Sequence, residues 1–217
     1  MGTTVAGISA ASMLGRASFA KGQDQLRLGL VGCGGRGTGA AFNATSASPD
    51  VQIAAIADLF PDRLNSSRAH LDQLGERVSV TDEDCYVGWD AYKRLMARAD
   101  IDIVILATPP HFRPIHFKEA VKQGKHVFME KPVAVDPAGV RQVIAAAKEA
   151  DAKNLSVVSG TQRRHELCYL DAMKRIHDGE IGEPVAARCY WNQGGLWNHA
   201  RQADWSDMEW QLRNWLY

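Results

Sequence analysis

LRLGLVGCGGRG, residues 26–37, is the stretch that decides the fold of this 217-residue chain. An apolar run stops abruptly at glycines, and the glycines satisfy the spacing G-x-G-x-x-G. A strand, a glycine-rich turn and the beginning of a helix, in this order, are typical of a loop whose backbone approaches a pyrophosphate at a helix N-terminus. The loop that we predict to bind a dinucleotide consists of Gly32, Cys33, Gly34, Gly35, Arg36 and Gly37.

An acidic residue follows this loop at the distance that a dinucleotide site requires. Residues 51–57, VQIAAIA, predict a second buried strand, and Asp58 stands at its end. An acid at this place binds both hydroxyls of an adenosine ribose. Because it also repels a 2′-phosphate, NAD is favoured over NADP as the cofactor. Two interpretations of Arg36 stay open, since it either neutralises a phosphate or is a solvated loop arginine.

Strand and helix patterns alternate along the chain as far as residue 159. Apolar runs predict further strands at 77–80, 101–107, 127–129 and 155–159, and helical patterns predict helices at 37–46, 62–74, 90–98, 114–123 and 137–150. Strands that alternate with helices of this length are typical of an α/β fold with a doubly wound parallel sheet. Six strands match the Rossmann arrangement, so residues 24–159 are predicted to be an NAD(P)-binding Rossmann domain.

Two turns at the ends of predicted strands offer further candidate site residues, because the carboxyl ends of parallel strands meet at one edge of a sheet. After the fourth strand, Thr108 and Pro109 are placed to frame the nicotinamide half of the cofactor. His111 is either a proton donor or an exposed loop histidine. After the fifth strand the chain reads Glu130-Lys131-Pro132. Proline favours extended geometry at the lysine before it, and this peptide bond is a candidate for the cis form.

The composition excludes several classes of function. Lys and Arg together number 25, as do Asp and Glu, so no basic excess indicates a nucleic acid partner. Apolar residues make up 46% and charged residues 23%, which is ordinary for a soluble globular protein. The four cysteines are widely spaced, without a C-x-x-C pair. We therefore predict neither a metal site nor a disulfide framework.

The N-terminal segment differs in character from the domain. Residues 2–20 are small and apolar, with Arg16 as the single charge. This segment is too short and too weakly hydrophobic for a membrane span. It is similar to the middle and end of an export signal, of the twin-arginine kind but without the arginine pair. We predict an export-signal-like leader at residues 1–23 and a periplasmic or exported location, with a cytoplasmic location as the alternative.

The pattern changes again after residue 160. A helix is predicted at 163–177 and a strand at 184–191, and an aromatic-rich stretch follows that needs a surface to bury against. The chain ends inside an apolar stretch. We therefore predict that residues 160–217 are the truncated start of a C-terminal α+β domain.

In combination, these motifs resemble the Gfo/Idh/MocA oxidoreductase family. The resemblance rests on the glycine loop, Asp58, the Ala107-Thr108-Pro109 turn and the stretch GKHVFMEKP at 124–132, and it covers about residues 25–160. It implies an NAD(P)-binding Rossmann domain followed by a domain on a large open sheet. That sheet carries the substrate pocket and often the oligomer interface, so we expect a homo-oligomer when the protein is full length.

The same resemblance implies roles for two residues. Lys131 would hydrogen-bond the reacting hydroxyl or carbonyl and stabilise the developing alkoxide, and Glu130 would contact the nicotinamide ribose. The family usually supplies a further Asp/His pair from the second domain, and no residue before Tyr217 matches it. The chain is therefore expected to be a fragment that holds half of the catalytic arrangement.

Three functions stay open at this point. The first is an NAD-dependent oxidoreductase that transfers a hydride to or from a sugar, polyol or related cyclic alcohol. The second is an NAD-dependent glycoside hydrolase of the same fold, which oxidises, eliminates, hydrates and re-reduces its substrate. The third is a nucleotide-binding fragment without catalysis. The expected partner is a small carbohydrate-like molecule, and neither a nucleic acid nor a membrane span is expected.

Overall fold

The computed structural model describes residues 25–214. The leader predicted at 1–23 and the last three residues, 215–217, lie outside the described residues. None of the helices described in this range is long and apolar enough to cross a membrane.

Six strands form one parallel sheet in the order β3-β2-β1-β4-β5-β6. They are β1 (Leu26–Val31), β2 (Val51–Asp58), β3 (Cys85–Val87), β4 (Ile103–Leu106), β5 (His126–Met129) and β6 (Val157–Ser159). The order of the strands reverses between β1 and β4, and at such a switch point the loops at the carboxyl ends diverge and open a crevice for ligands. The doubly wound Rossmann fold predicted from the sequence is confirmed.

Five helices cover the two faces of the sheet. They are α1 (Gly35–Ala47), α2 (Pro61–Leu71), α3 (Ala91–Met96), α4 (Arg113–Lys122) and α5 (Pro137–Ala152). On one face, α1 and α2 pack against fully buried side chains such as Leu30 and Ile53. On the other face, α3, α4 and α5 form a second apolar cluster around Leu106 and Phe117. The sheet is therefore buried on both sides, which fixes the direction of each loop at its carboxyl edge.

The third strand lies later in the chain than the sequence predicted. Val78, in the predicted strand at 77–80, makes one isolated bridge to Ile53. The third strand is β3 instead, which pairs with the carboxyl end of β2. Gly75 breaks the preceding helical turn with a φ of +58°, so the chain runs on past Val78 to reach that end of β2.

Residues 160–214 contain helices but no strand within the described range. They form α6 (Leu167–His177) and α7 (Asp207–Arg213). The first lies within the helix predicted at 163–177 but begins four residues later, and the second was not predicted. The strand predicted at 184–191 is not formed. A strand needs a neighbour to take its backbone hydrogen bonds, and Val185 and Tyr190 are instead 96% and 71% exposed.

Candidate cofactor and active site

Two positions of the glycine loop accept only glycine, because a side chain there would clash with the backbone. Gly32 has a φ of +100°, and a Cβ built on it would lie 2.6 Å from the backbone nitrogen of Thr108. A Cβ on Gly37 would lie 1.8 Å from the carbonyl oxygen of Gly32. These positions hold the tight turn and the close packing of α1 against β1, as the fingerprint predicts.

The other two glycines of the loop face open space. A Cβ on Gly34 or Gly35 would meet no atom within 4 Å. Gly34 is the N-cap of α1 and makes no side-chain cap, so the first amides of the helix point to this open side. A helix N-terminus with exposed backbone binds anions through its N–H groups and its dipole. The exposed amides therefore fit a pyrophosphate, and the role of the loop stays a prediction.

Asp58 lies beside the loop, at the end of β2, and is 9% exposed. Its Oδ2 accepts the N–H of Cys33 at 2.7 Å, and its Oδ1 accepts the N–H of Phe60 at 2.9 Å. Burial raises the pKa of this carboxyl, and the two backbone hydrogen bonds oppose that rise. Because a carboxylate has about four lone-pair sites, Asp58 can still accept bonds from ribose hydroxyls. Cys33 therefore contributes to the site through its backbone.

A small cavity of about 100 Å³ adjoins Asp58. It is lined by the loop glycines Gly32 and Gly34 and by apolar or aromatic side chains from later loops, among them Phe60, Trp89, Phe112 and Leu212. The rings of Trp89 and Phe112 are tilted by 56° to each other, with their centroids 6.2 Å apart. A purine base stacks on surfaces of this kind. Leu212 shows that α7 reaches the same cavity, which sequence patterns did not predict.

The turn after β4 lies between this cavity and a larger cleft. Thr108 and Pro109 line both spaces. The hydroxyl of Thr108 is 3.1 Å from Nδ1 of His116, a buried residue of α4 whose ring centroid lies 4.2 Å from that of Tyr92. Burial, with a smaller contribution from Arg113, lowers the pKa of His116 to about 3. His116 is therefore neutral at physiological pH and holds the Thr108 side chain in one orientation.

His111 lies apart from these residues. It is exposed in the 3₁₀ turn Pro110–Phe112, where its ring meets the edge of Phe112 at 5.2 Å. Within the described chain, His111 is not among the residues that line either space. The role of His111 stays a prediction.

Lys131 stands at the larger cleft, whose volume is about 850 Å³. It is exposed, directly follows the buried residue Glu130, and precedes Pro132 through a cis peptide bond. Gly35, Arg36 and Thr108 line the same cleft. The structure therefore brings the glycine loop, the turn after β4 and the lysine together at one edge of the sheet.

Glu130 and Arg36 form an ion pair that the sequence did not predict. Nε of Arg36 donates to Oε1 of Glu130 at 2.7 Å, and the arginine side chain is 54% exposed whereas the glutamate side chain is 10% exposed. Gly160 gives the carboxylate its space, because a Cβ there would lie 3.0 Å from both carboxylate oxygens. Arg36 is thus paired with Glu130 while its side chain stays half-exposed, and both interpretations of its role stay open. No local signal links two residues this far apart in the chain.

The family profile described as "Oxidoreductase family, NAD-binding Rossmann fold" matches residues 26–159. The chain belongs to the Gfo/Idh/MocA oxidoreductase family. The matched range is the sheet domain described above, and it includes every candidate site residue from the glycine loop to Lys131. No cluster of three or more metal-ligating side chains occurs between residues 25 and 214.

The chain is similar to curated proteins and to solved structures, among them the following two relatives and one structure. A "Glycosyl hydrolase family 109 protein" from Solibacter usitatus is 36% identical over 129 residues, which is 58% of this chain and 28% of the relative. An "Inositol 2-dehydrogenase" from Rhizobium meliloti is 30% identical over 158 residues, covering 73% of this chain and 42% of the relative. The chain spans less than half the length of either relative.

The solved structure is scyllo-inositol dehydrogenase from Lactobacillus casei with bound NAD(H) and scyllo-inositol. It aligns with a TM-score of 0.60 at 24% identity and covers 73% of this chain and 43% of that one. At this identity the likeness shows the shared fold.

Proposed function

We propose that this chain is the cofactor-binding part of an NAD-dependent oxidoreductase that acts on a sugar, polyol or related cyclic alcohol. The observation that carries the proposal is the meeting of three features at one sheet edge. These are the exposed backbone of the glycine loop, the buried carboxylate of Asp58, and Lys131 beside a cleft large enough for a small ligand. A relative named as an inositol dehydrogenase supports the class of substrate.

The adenosine end of the cofactor is assigned to the Asp58 side of the loop. Asp58 accepts the ribose hydroxyls, and its negative charge disfavours a 2′-phosphate, so NAD is preferred over NADP. The amides at the start of α1 hold the pyrophosphate. Arg36, a half-exposed member of the loop, adds a positive charge there.

Lys131 is assigned to the reacting oxygen. A bound nicotinamide cofactor would supply the hydride acceptor or donor for the substrate carbon. The ammonium group of Lys131 donates a hydrogen bond to the hydroxyl or carbonyl oxygen and stabilises negative charge that develops on it. Thr108 and Pro109 line the same cleft and would limit how the nicotinamide ring can turn.

A second candidate function is favoured by one observation. The 36% identical relative is named as a glycosyl hydrolase. A dehydrogenase leaves the hydride on the cofactor, whereas an NAD-dependent hydrolase returns it to the substrate within one turnover. The Rossmann domain alone does not distinguish these two reactions. The predicted export and homo-oligomer stay predictions under both candidates.

The cofactor assignment is tested by changing Asp58. Asp58→Ala should weaken NADH binding, measured by cofactor fluorescence, by about tenfold because the ribose hydroxyls lose a charged acceptor. Binding of NADPH should change little, so the preference between the two should narrow. Unchanged affinity and preference would remove Asp58 from the ribose site.

The catalytic assignment is tested by Lys131→Ala in the full-length protein. Turnover with a panel of sugars and inositols should fall about 10²-fold or more, while NADH affinity stays near that of the wild type. Measuring both NADH formation and sugar release from aryl glycosides separates the two candidates. Net NADH identifies a dehydrogenase, and released sugar without net NADH identifies the hydrolase. Wild-type turnover in the variant would exclude Lys131 from the chemistry.

A further inference from the structure

Arg113 is a buried cation that the roles assigned above do not use. It is the first residue of α4 and is 1% exposed. Its Nη1 donates to the carbonyl oxygen of Leu106 at 2.8 Å, and its Nη2 donates to the carbonyl oxygen of Thr108 at 2.5 Å. One planar guanidinium therefore spans the end of β4 and the turn that follows it.

The Leu106 carbonyl also holds the start of the second site turn, Glu130-Lys131. It accepts the backbone N–H of Glu130 at 2.9 Å, the residue that leads into Lys131. Arg113 and the Glu130 backbone thus share one acceptor. Arg113 therefore hydrogen-bonds the Thr108 turn directly, and it shares the Leu106 carbonyl with the start of the Glu130-Lys131 turn.

Stability alone does not account for an arginine at this position. Burial lowers the pKa of Arg113 to about 10, with the Glu130 charge opposing the shift. Within residues 25–214, its buried Nε has no hydrogen-bond partner. A buried charge with an unsatisfied N–H is costly, and replacing such a group by an apolar side chain is often neutral or stabilising.

We propose that Arg113 is a positioning residue, which sets the Thr108 turn and the Glu130-Lys131 turn at a fixed distance from each other. The fork geometry matters as much as the charge, because two parallel donors are needed to reach two carbonyls at once. His116, one helical turn further along α4, holds the Thr108 hydroxyl, so the same helix fixes that residue at both backbone and side chain. The consequence for cofactor and substrate rests on the proposed function.

Lys125, the residue directly before β5, provides a matched control at the opposite edge of the sheet. It is 6% exposed, and its Nζ donates to the carbonyl oxygens of Arg98 and Ile101 at 2.6 and 2.7 Å. It is therefore also a buried cation that holds two carbonyls beside β4. The carbonyls that it holds precede β4, whereas those that Arg113 holds lie at the end of β4 and in the turn after it.

The experiment compares Arg113→Met, Arg113→Lys and Lys125→Met in the full chain. Hydrogen exchange is followed in peptides covering residues 106–110 and 128–133, and NADH binding is measured by fluorescence. In Arg113→Met, amides in both turns should exchange about tenfold faster and NADH affinity should fall several-fold. Arg113→Lys keeps the charge but reaches one carbonyl, so its exchange should also be accelerated. Lys125→Met should leave both turns and NADH binding as in the wild type.

The outcomes separate the two proposals. If the wild type binds no NADH, the proposed function fails, and the exchange measurement on the unliganded chain still decides the role of Arg113. If the wild type binds NADH but exchange in either turn is unchanged in both Arg113 variants, the positioning role is overturned. The same holds if Lys125→Met accelerates the turns equally, because the effect is then general loosening of the sheet. If Arg113→Met does not fold, Arg113→Lys carries the test alone.

Discussion

Residues 25–159 and residues 160–214 differ sharply in how their side chains are held. In the first region both faces of the sheet are packed, and residues such as Ile53 and Leu106 are fully buried. In the second, Leu212 is the one buried residue among those described after Ser159. Yet both border the large cleft, the first through Gly35 and Lys131 and the second through exposed residues such as Trp197.

This difference separates the two ends of the candidate site. Each group assigned to the cofactor lies on a turn whose direction is set by buried packing, because the sheet and its helices leave the loops no alternative course. The groups that the second region adds to the cleft are exposed and have few contacts to hold them. The packed region therefore fixes the turns that carry the proposed cofactor groups, whereas the second region leaves side chains such as Trp197 exposed at the cleft.

The largest expected effect is a change in the tightly packed glycine loop. Gly37→Ala places a methyl group 1.8 Å from a backbone oxygen, which cannot move without shifting β1. The free energy of unfolding should fall by about 3 kcal/mol, measured by urea denaturation.

Gly34→Ala is the matched control, since its Cβ meets no atom within 4 Å. It should change the free energy of unfolding by less than about 0.5 kcal/mol while weakening NADH binding, because the methyl group covers the exposed backbone. Equal destabilisation by both substitutions would show that the loop is not divided into structural and ligand-facing glycines.

The second prediction concerns the pH dependence of the packed region. The pKa of His116 is about 3 in the folded chain and about 6.5 when unfolded, so the unfolded state binds the proton more readily. The stability that neutral His116 contributes is complete above pH 6.5 and is lost as the pH falls towards 3. Between pH 7 and pH 5 the loss should be about 2 kcal/mol.

Thermal or urea unfolding of His116→Asn across this range checks the prediction, because the asparagine keeps a polar group near Thr108 but does not titrate. The variant should lose less stability on acidification than the wild type. His177→Asn, at an exposed position of α6, should follow the wild-type curve. Parallel curves for His116→Asn and the wild type would contradict the buried, neutral state of this ring.

The same contrast explains what the sequence could predict. The glycine loop, Asp58 and the turn at Lys131 follow from local rules, since each is set by the end of a buried strand and the residues next to it. The Arg36–Glu130 pair and the Arg113 bonds depend on which strands become neighbours, which no local pattern encodes. The prediction of a strand at 184–191 was wrong, because an apolar pattern does not by itself supply a neighbouring strand to pair with.

A third, smaller effect is expected where the two regions meet. Arg213 of α7 donates to both carboxylate oxygens of Asp62 at 2.9 and 3.0 Å, and its guanidinium lies between the rings of Phe60 and Trp205. Because Asp62 is 60% exposed, the pair is screened, and Arg213→Met should cost about 1 kcal/mol. The emission of Trp205 should shift to longer wavelength as α7 detaches.

Arg175→Met is the control for that measurement, because Arg175 forms an exposed ion pair with Asp171 within α6. It should alter neither the emission nor the stability beyond about 0.5 kcal/mol. An unchanged spectrum in Arg213→Met would show that α7 is held by its apolar contacts, with Leu212 as their centre.

The smallest effect is expected in the exposed segment that did not form its predicted strand. Val185 is 96% exposed, so Val185→Ala removes almost no buried surface and should change the free energy of unfolding by less than about 0.5 kcal/mol. Val31→Ala, at a position in β1 that is 2% exposed, should cost about 2 kcal/mol or more and gives the scale of the buried region. Urea unfolding of both variants in the full chain makes the comparison. A loss near that of Val31→Ala would mean that Val185 is packed in solution. The second region would then also bury apolar side chains, and the contrast between the two regions would fail.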